Sequence, residues 1–424
     1  MTDDSLANSL NRHCHCINVD QGVLQESLEA RLGETGAWSR LQNSHPHLLA
    51  DSPVFISHGQ VARMKNLIAA IERVASLESY REEVLGWAPP IAQDNPGAHG
   101  VFFGYDFHLT NDGPRLIEIN TNAGGALLLL EVASAQQACC NEVENFVTGR
   151  VNTADLERAF VAMFRAELHA QAPGQELRRV AVVDENPAEQ YLGAEFTLFE
   201  RMFQHHGIDA VVTGPEALTL GDRQLLVEGH AVDLVYNRLT DFYLQSPAAA
   251  VLNRAYREAA VVVTPSPYTH AHYANKRNLT LLSDAERLRE HGIDEETIEA
   301  LVRGIPRTHL VTAKNADTLW SERKRLFFKP HWGFGSRGTY KGAKLTRKTW
   351  ESILSDNYVA QELVPPSERL VIRDGNKQAL KLDVRCYTYK GELQMLGARL
   401  YRGQTTNFRT DGGGLAAVFT APGD

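Results

Sequence analysis

The chain contains 424 residues, of which 43% are hydrophobic and 22% are charged. These proportions are those of a folded globular protein of about three domains, and they exclude a disordered tail or a disulfide-stabilised mini-protein. Its 43 Lys and Arg against 52 Asp and Glu give a formal net charge of −9, which disfavours a nucleic-acid partner because no basic block offsets it.

The first ten residues, MTDDSLANSL, are acidic and polar, whereas a secretion signal has a positively charged region followed by an apolar one. No apolar run approaches the ~18 residues of a membrane span. Five cysteines in so long a chain do not form a disulfide framework. We therefore expect a cytoplasmic protein with reduced thiols and without a membrane or nucleic-acid partner, and the sequence leaves a homo-oligomer open.

Hydrophobic periodicity predicts helices over most of 22–87, with apolar faces formed by Leu24, Leu28, Leu32, Ile68, Ile71, Val74 and Leu77. The pattern then changes to GVFFGYDFHL and RLIEIN around a polar turn, which predicts a β-hairpin followed by a helix. After residue 150, strands RRVAVVDEN, IDAVVTG and AVDLVYNR alternate with helices and predict a small open α/β domain that ends at TPSPYTH. The last third predicts short helices, strands RLFFKP and YVAQELV, and a terminal series of strands.

The predicted hairpin carries side chains suited to a metal ion. Glu118 and Asn120 share one face of a strand, whereas Ile117 and Ile119 share the other. A three-residue NDG turn places Asp106 opposite Glu118, where two carboxylates repel by about 4 kcal/mol at an effective dielectric near 20. A cation removes that repulsion, and two carboxylates with an amide oxygen suit Mg²⁺ completed by nucleotide phosphates. The alternative is a solvated hairpin whose acids face water.

The segment FFKPHWGFGSRGTYKG satisfies the GxGxxG spacing, but a strand rather than a helix follows it. This order argues against a dinucleotide-binding fingerprint. It favours a hairpin flap whose backbone N–H groups approach phosphate beside Lys329, with Trp332 and Phe334 as shields against water. A plain glycine-rich turn is the alternative.

Two later segments are ambiguous when each is taken alone. YVAQELVPP is either a sheet edge or a hinge whose backbone recognises an adenine edge. Asp383 and Arg385 share a strand face, and the next strand with its glycine-rich exit contains Arg399, Arg402, Asn407 and Arg409. These arginines form either surface ion pairs of little energy or a bidentate clamp for phosphate and carboxylate groups.

Together these segments resemble the ATP-grasp ligases, especially their glutathione synthetase branch. ANKRNLTLL with GIPRTHLVTA resembles the family's first lysine and the strand after it, RLFFKPHWGFGSRG its second lysine and flap, and YVAQELVPP its adenine hinge. DVR with ARLYRGQTTNFRTDGGG is similar to its acid–arginine strands, and GYDF with LIEINTNAGG to its metal-binding hairpin. The family usually places the hairpin last, whereas here it comes early, so the resemblance implies a circularly permuted ATP-grasp fold.

The implied fold class is α/β (α+β), in four parts. Residues 1–95 form an N-terminal helical segment, 96–150 a metal-binding hairpin and helix that complete the ATP-grasp core, 151–268 a preceding α/β substrate domain, and 269–424 the nucleotide-binding subdomains. By position in the family's motifs, ATP phosphates are contacted by Lys276, Lys329 and the flap residues Gly335, Ser336 and Gly338. Adenine is framed by Gln361, Glu362 and Leu363.

The resemblance also implies cofactors and an activity. Mg²⁺ is held by Asp106, Glu118 and Asn120, and the transferred phosphoryl group is steadied by Arg385, Arg399 and Asn407. The implied activity is an ATP-dependent carboxylate–amine ligase that forms a C–N bond through an acyl phosphate and releases ADP and phosphate. Its partners are a small-molecule carboxylate and an amine, whose identities the sequence does not specify. A small-molecule kinase on the same fold and a nucleotide-binding regulatory protein without turnover are the alternatives.

Two features stay outside this scheme. His13-Cys14-His15-Cys16 has a spacing unlike that of a zinc knuckle, so we expect a reduced, locally packed loop, with zinc shared with Cys139-Cys140 as the alternative. Tyr236-Asn237-Arg238 and Asp241 end a predicted strand, where they bind a substrate carboxylate or form an interdomain salt bridge.

Overall fold

A computed structural model of the protein describes residues 5–138, 152–333, 338–373 and 375–421. It is a mixed α/β structure in which two large sheets lie next to the candidate site. The longer helices are Ser5–His13, Gln21–Leu32, Ala37–Ser44, His58–Ala75, Glu78–Gly86, Ala126–Ser134, Thr153–Gln171, Gly193–His205, Ala250–Arg257, Ala285–Glu290, Glu295–Gly304, Ala316–Glu322 and Arg347–Leu354. Among the described residues, no helix combines the length and apolar character that crossing a bilayer requires.

The largest sheet, here called the seven-stranded sheet, brings the early hairpin beside the end of the chain. Its strands are, in order, Val54–Ser57, Gly414–Ala421, Glu392–Tyr401, Asn376–Tyr389, Phe103–Thr110 and Gly113–Asn120, and Ser367–Arg373 also pairs with Asn376–Tyr389. The hairpin strand Phe103–Thr110 pairs antiparallel with Asn376–Tyr389. Strands from residues near 110 and near 390 therefore form one continuous surface.

Helices cover both faces of the seven-stranded sheet. Helix His58–Ala75 begins with a capping box between Ser57 and Gln60. It buries Ile68 and Ile71 against the hairpin, which confirms the apolar face predicted there. On the other side, the leucines of helix Ala126–Ser134 pack against the strand Gly414–Ala421.

A second sheet, here called the four-stranded antiparallel sheet, carries the predicted flap and hinge strands. Its order is Thr308–Leu310, Tyr358–Glu362, Leu326–Pro330 and Tyr340–Lys341. The strands RLFFKP and YVAQELV are thus neighbours, as Lys329 pairs with Val359 and Phe327 with Gln361. Helix Arg347–Leu354 buries Trp350 and Ile353 against this sheet.

The predicted open α/β unit is a parallel sheet of four strands, in the order Val262–Thr264, Leu234–Asn237, Arg179–Val183 and Asp209–Thr213. Three of these strands were expected, and the fourth comes from the apolar run VVVT just before the TPSPYTH loop. Small ribbons complete the fold: Leu218–Leu220, Leu225–Val227 and His230–Ala231 form one, and Ile17–Val19 with Gln136–Ala138 the other.

Candidate active site

A cavity of about 570 Å³ is lined by strands of both the seven-stranded sheet and the four-stranded antiparallel sheet. The first contributes Asp106, Glu118 and Arg399, and the second contributes Lys329 and Gln361. Lys276, which precedes a short helix, also lines it. Carboxylates and an arginine therefore face lysines across a single space.

The hairpin places Asp106 directly opposite Glu118, as predicted. The turn, however, is Asn111-Asp112 rather than three residues, because Thr110 pairs with Gly113. The two-residue turn alone would pair Asp106 with Ile117. A β-bulge at Ile117 shifts the register by one residue, so that Phe107 pairs with Leu116 and Asp106 with Glu118. The bulge brings Ile117 to the cavity, which corrects the prediction that it shares the buried face with Ile119.

Asp106 is buried and accepts four hydrogen bonds from cationic and amide groups. Arg385 binds it in a bidentate manner, with Nε 2.6 Å from Oδ1 and Nη2 2.7 Å from Oδ2. Oδ2 also accepts from Arg399 Nη2 at 2.7 Å and from Asn120 Nδ2 at 3.1 Å. The charge of this carboxylate is thus already compensated by two guanidinium groups.

Glu118 is more open to the cavity than Asp106. Its Oε2 lies 3.6 Å from Lys276 Nζ, and its Oε1 accepts from Asn120 Nδ2 at 3.3 Å. Burial would raise the pKa of the Glu118 carboxyl, but the positive charges of Lys276, Lys329 and Arg399 outweigh burial and lower the pKa to about 2. The group is therefore anionic throughout the physiological range.

Lys329 is buried between the two sheets. Its Nζ donates to the Ile117 carbonyl at 2.9 Å and to Gln361 Oε1 at 2.8 Å. Burial lowers the pKa of the Lys329 ammonium to about 8, although the negative charge of Glu118 opposes this shift. Lys276 Nζ donates to the Gly333 carbonyl at 2.8 Å. Both lysines line the cavity, and both act on the Glu118 carboxylate by their positive charge.

The hinge residues Gln361, Glu362 and Leu363 all line the cavity. The Gln361 side chain binds Lys329, and the backbone N–H groups of Glu362 and Leu363 donate to the carbonyls of Arg307 and Arg325. Those two amides are therefore engaged within the protein itself.

Some predicted site residues are not brought into the cavity. Asn407 lies in the glycine-rich exit loop, where its Nδ2 donates to the Arg402 and Thr405 carbonyls and its Oδ1 accepts from Arg409 N and Thr410 Oγ1. It shapes that loop and is not among the cavity-lining residues. Arg385 is not a lining residue itself, but it forms an ion pair with Asp106, which is one.

The flap is described only in part. Gly338 has a φ of +66° and accepts a hydrogen bond from the Tyr358 hydroxyl through its carbonyl, whereas Gly335, Ser336 and Phe334 lie outside the described residues. The Trp332 side chain is 45% exposed.

The structure adds residues that the sequence reasoning did not assign to the site: His108, Lys341, Lys344, Lys381, Asp383 and Thr406. His108 follows Asp106 by two positions on one strand, so alternation alone would have placed it on the same face. Its Nδ1–H donates to the Val364 carbonyl at 2.7 Å, and burial lowers its pKa. His108 therefore joins the hairpin to the hinge as a neutral imidazole.

The residues outside the scheme are also placed. Cys14 Sγ and Cys16 Sγ lie 3.8 Å apart, but no group of three or more His, Cys, Asp or Glu in the described ranges is arranged to hold a metal ion. Cys139-Cys140 lie outside those ranges. Arg238 is buried and donates to the Asn122 carbonyl at 2.7 Å and to the Tyr236 hydroxyl at 3.2 Å. The two alternatives for this group, a substrate carboxylate site and an interdomain salt bridge, stay predictions.

Similar folds are found among solved structures. A glutathione synthetase-like effector from Globodera pallida, in its apo form, has 12% identity and a TM-score of 0.56, over 95% of this chain and 97% of that chain. A putative gamma-glutamylcysteine synthetase from Methylobacillus flagellatus follows with 10% identity and a TM-score of 0.46, over 82% of each chain. The ATP-grasp ligase PsnB, complexed with a minimal precursor, Mg and ADP, has 16% identity and a TM-score of 0.30, over 56% of this chain and 87% of that chain.

No protein-family profile matches the sequence, and no curated protein matches it significantly. The assignment therefore rests on the first of these structures, which covers nearly the whole of both chains. This chain shares the overall fold of that glutathione synthetase-like effector, as the resemblance to the glutathione synthetase branch predicted.

Proposed function

We propose that the protein is an ATP-dependent carboxylate–amine ligase. The observation that supports this most directly is the single cavity in which Lys276 and Lys329 face Glu118 and Arg399. Such a set of charges suits a nucleotide triphosphate with a divalent cation, because the cations offset the phosphate charge. The proposed reaction transfers the γ-phosphoryl group to a carboxylate, and an amine then displaces phosphate from the acyl phosphate to form the C–N bond.

The donor set is compatible with Mg²⁺ held mainly through Glu118. Mg²⁺ binds through one or two carboxylates and otherwise takes phosphate oxygens and water. The Glu118 carboxylate faces the cavity, and the Asn120 amide beside it donates from Nδ2 to Glu118 Oε1 and so helps to hold that carboxylate in place. When bound there, Mg²⁺ would neutralise charge on the terminal phosphates. The structure does not favour Asp106 as a ligand, because three donors already occupy its Oδ2.

The remaining residues have roles that follow from their positions. Lys276 and Lys329 bind phosphate oxygens as point charges, and Arg399 binds the phosphoryl group that moves. The hinge from Gln361 onward lines the part of the cavity proposed for the adenine base. Because the amides of Glu362 and Leu363 are engaged, the adenine would contact the hinge at Val364. The consumption of ATP fits the cytoplasmic location expected from the sequence.

We further propose that the chain is a circular permutant with the four parts described above. The last strand, Gly414–Ala421, runs parallel to Val54–Ser57, and Ala421 pairs with Ser57. Helix His58–Ala75 starts at the next residue and packs against the hairpin. A chain that continued from Ala421 into this helix would have the motif order of the resemblance, and such joins are tolerated where ends lie close together.

A phosphate-release screen tests the proposed function. Amino acids, short peptides and polyamines are incubated in pairs with ATP and Mg²⁺, and the mass of any product is measured. The proposal predicts ADP and phosphate only when both an acid and an amine are present. A stable phosphorylated product without an amine would indicate a kinase, and nucleotide binding without any turnover would indicate a regulatory protein.

Two variants connect the screen to the site. Lys329→Ala is expected to weaken nucleotide binding because it removes a buried cation from the phosphate end. Asn120→Ala is expected to spare binding more than turnover, because it alters the metal position rather than the phosphate contacts. Equal activity of both variants and the wild type would count against the site.

A further inference from the structure

Acids and bases alternate along the wall of the cavity formed by the seven-stranded sheet. Arg385 binds Asp106, Asp106 binds Arg399 through Nη2, and Arg399 Nε donates to Asp383 Oδ1 at 2.7 Å. Asp383 Oδ2 then accepts from the Thr406 hydroxyl at 2.5 Å. We call these five residues the acid–arginine network. The network links the hairpin to the glycine-rich exit loop.

Backbone register fixes this chain of contacts. Arg385 is the cross-strand partner of Asp106, and Asp383 is the cross-strand partner of Arg399. Four of its members are buried or nearly so, with side-chain exposures of 2% for Asp106, 4% for Asp383, 10% for Arg385 and 14% for Arg399. Strand pairing brings these side chains into contact. Because they are shielded from water, removing one charge would leave its buried partner without compensation.

The position of Asp106 in the acid–arginine network indicates whether it can also bind a metal ion. Its Oδ2 receives three N–H donors and its Oδ1 receives one. A metal ion at Asp106 would displace at least one guanidinium contact and leave a buried arginine without its anion. Glu118, by contrast, has Lys276 only at 3.6 Å and a single amide contact.

We propose that Asp106 is a positioning residue, which holds Arg399 at the phosphoryl end of the cavity and does not ligate Mg²⁺. This inference rests on the proposed function, because it assigns Arg399 to the terminal phosphate. Asp106 and Asp383 contact Arg399 from two strands and fix the guanidinium between them. The Arg399 guanidinium is thereby held in one orientation before the nucleotide binds. Less side-chain entropy is therefore lost when it contacts the terminal phosphate.

Binding measurements test this proposal without any need for turnover. Mn²⁺ serves as the probe metal, and its affinity in the presence of ADP is measured by electron paramagnetic resonance for the wild type, Asp106→Asn and Glu118→Gln. We expect Asp106→Asn to keep Mn²⁺ affinity within about threefold and Glu118→Gln to lose about tenfold or more, as removal of a direct charged ligand implies. An equal loss of Mn²⁺ affinity in both variants would overturn the proposal.

The second readout is the preference for a terminal phosphate. The affinities of AMPPNP and ADP are compared by calorimetry, and the wild type is expected to prefer AMPPNP because Arg399 contacts its γ-phosphate. Asp106→Asn is expected to lose about tenfold of that preference. A purely structural role, or none, leaves the preference unchanged and contradicts the proposal.

Asp383→Asn provides a second variant at the other side of Arg399, where Asp383 Oδ1 accepts from Arg399 Nε at 2.7 Å. It should reduce the AMPPNP preference while Mn²⁺ affinity stays at the wild-type value, and an unchanged preference would overturn the positioning role even if Asp106→Asn did not fold. If the wild type binds neither nucleotide, the proposed function itself fails, which is a different outcome from equal Mn²⁺ losses in the variants.

Discussion

The ammonium group of Lys329 in the cavity titrates within reach of neutral pH. Burial lowers its pKa to about 8, so the free protein loses this proton as the pH rises through 8. A bound phosphate favours the protonated form and raises the pKa again, so binding takes up a proton above that pH. Nucleotide affinity should therefore fall as the pH rises from 7 to 9.5.

Calorimetric titration of ADP across this pH range, in buffers of different ionisation enthalpy, measures both the affinity and the proton uptake. The same titration of Lys329→Gln is the control, and its affinity should be lower and nearly independent of pH. A wild-type affinity that stays constant up to pH 9.5 would contradict the assignment of Lys329 to the phosphates.

Among the described residues, Arg369 is the largest fully buried side chain and has no carboxylate partner. Its guanidinium donates instead to the carbonyls of Asn11, Cys14, Pro53 and Leu370. Burial lowers its pKa to about 10. These contacts connect the strand after the hinge to the N-terminal helix and its loop.

Arg369→Met is expected to reduce the free energy of unfolding by about 3 kcal/mol or more, because it leaves several buried carbonyls without donors. Arg373→Met on the same strand is the matched control, since that half-exposed side chain pairs with Asp51 and Asp411 and its loss should cost below about 1 kcal/mol. Urea unfolding of both variants measures the difference. Similar values for the two would show that the buried contacts contribute little.

The candidate site shows what alternation in sequence predicts about single residues. The two-residue period placed Glu118 and Asn120 on one strand face and Asp106 opposite Glu118, and the structure has this arrangement. It did not predict the pairing of Asp106 with Arg385, because that contact depends on register between strands 279 residues apart. Asn407 was assigned by motif position, which carries no information about the hydrogen bonds that hold it in its own loop.

At the scale of elements, helix Ala126–Ser134 depends on a neighbouring helix for its N-terminal cap. Its N-cap is Gly125, which has no side chain to accept from the first N–H groups. The Glu195 carboxylate accepts these hydrogen bonds instead, from Gly125 N at 2.7 Å and from Leu127 N at 3.1 Å. A buried carboxylate at this end also interacts favourably with the helix dipole.

Glu195→Ala should therefore destabilise the protein by about 1–3 kcal/mol, because buried N–H groups lose their acceptor. Glu189→Ala, at an exposed position in the preceding loop, is the control and should change stability by less than about 0.5 kcal/mol. Thermal unfolding followed by circular dichroism compares them. Equal melting temperatures for Glu195→Ala and the wild type would show that the helix does not need this cap.

The hairpin shows where element prediction stops. Alternating residues and the polar turn identified both strands, and the predicted pairing of Asp106 with Glu118 was correct. The combination of a two-residue turn and a bulge at Ile117 gives the same pairing there as a three-residue turn. Sequence alternation alone does not distinguish the two solutions, although only the bulge turns the Ile117 carbonyl toward Lys329.

For the whole molecule, the cavity lies between the seven-stranded sheet and the four-stranded antiparallel sheet. A ligand that contacts both sheets stabilises the folded state by mass action, by about 2.7 kcal/mol at a concentration one hundred times its Kd. MgADP should therefore raise the melting temperature of the wild type. The rise should be much smaller for Lys329→Ala and Glu118→Ala, and an equal rise in all three proteins would place the nucleotide elsewhere.

The fold class and the order of its motifs were accessible from the sequence because each motif is short and local. The edge strand Val54–Ser57 of the seven-stranded sheet could not be predicted from the sequence. This buried strand has only four residues, lies within a helical stretch, and pairs with the distant strand Gly414–Ala421. Strand pairings of this separation depend on the whole fold rather than on local pattern.

The most direct test of the account is the position of metal and nucleotide in a crystal of the protein grown with AMPPNP and Mn²⁺, with diffraction recorded at the manganese edge. We predict an anomalous peak within coordination distance of the Glu118 carboxylate, and a terminal phosphate between Lys276, Lys329 and Arg399. A nucleotide bound outside this cavity, or manganese remote from Glu118, would contradict the account.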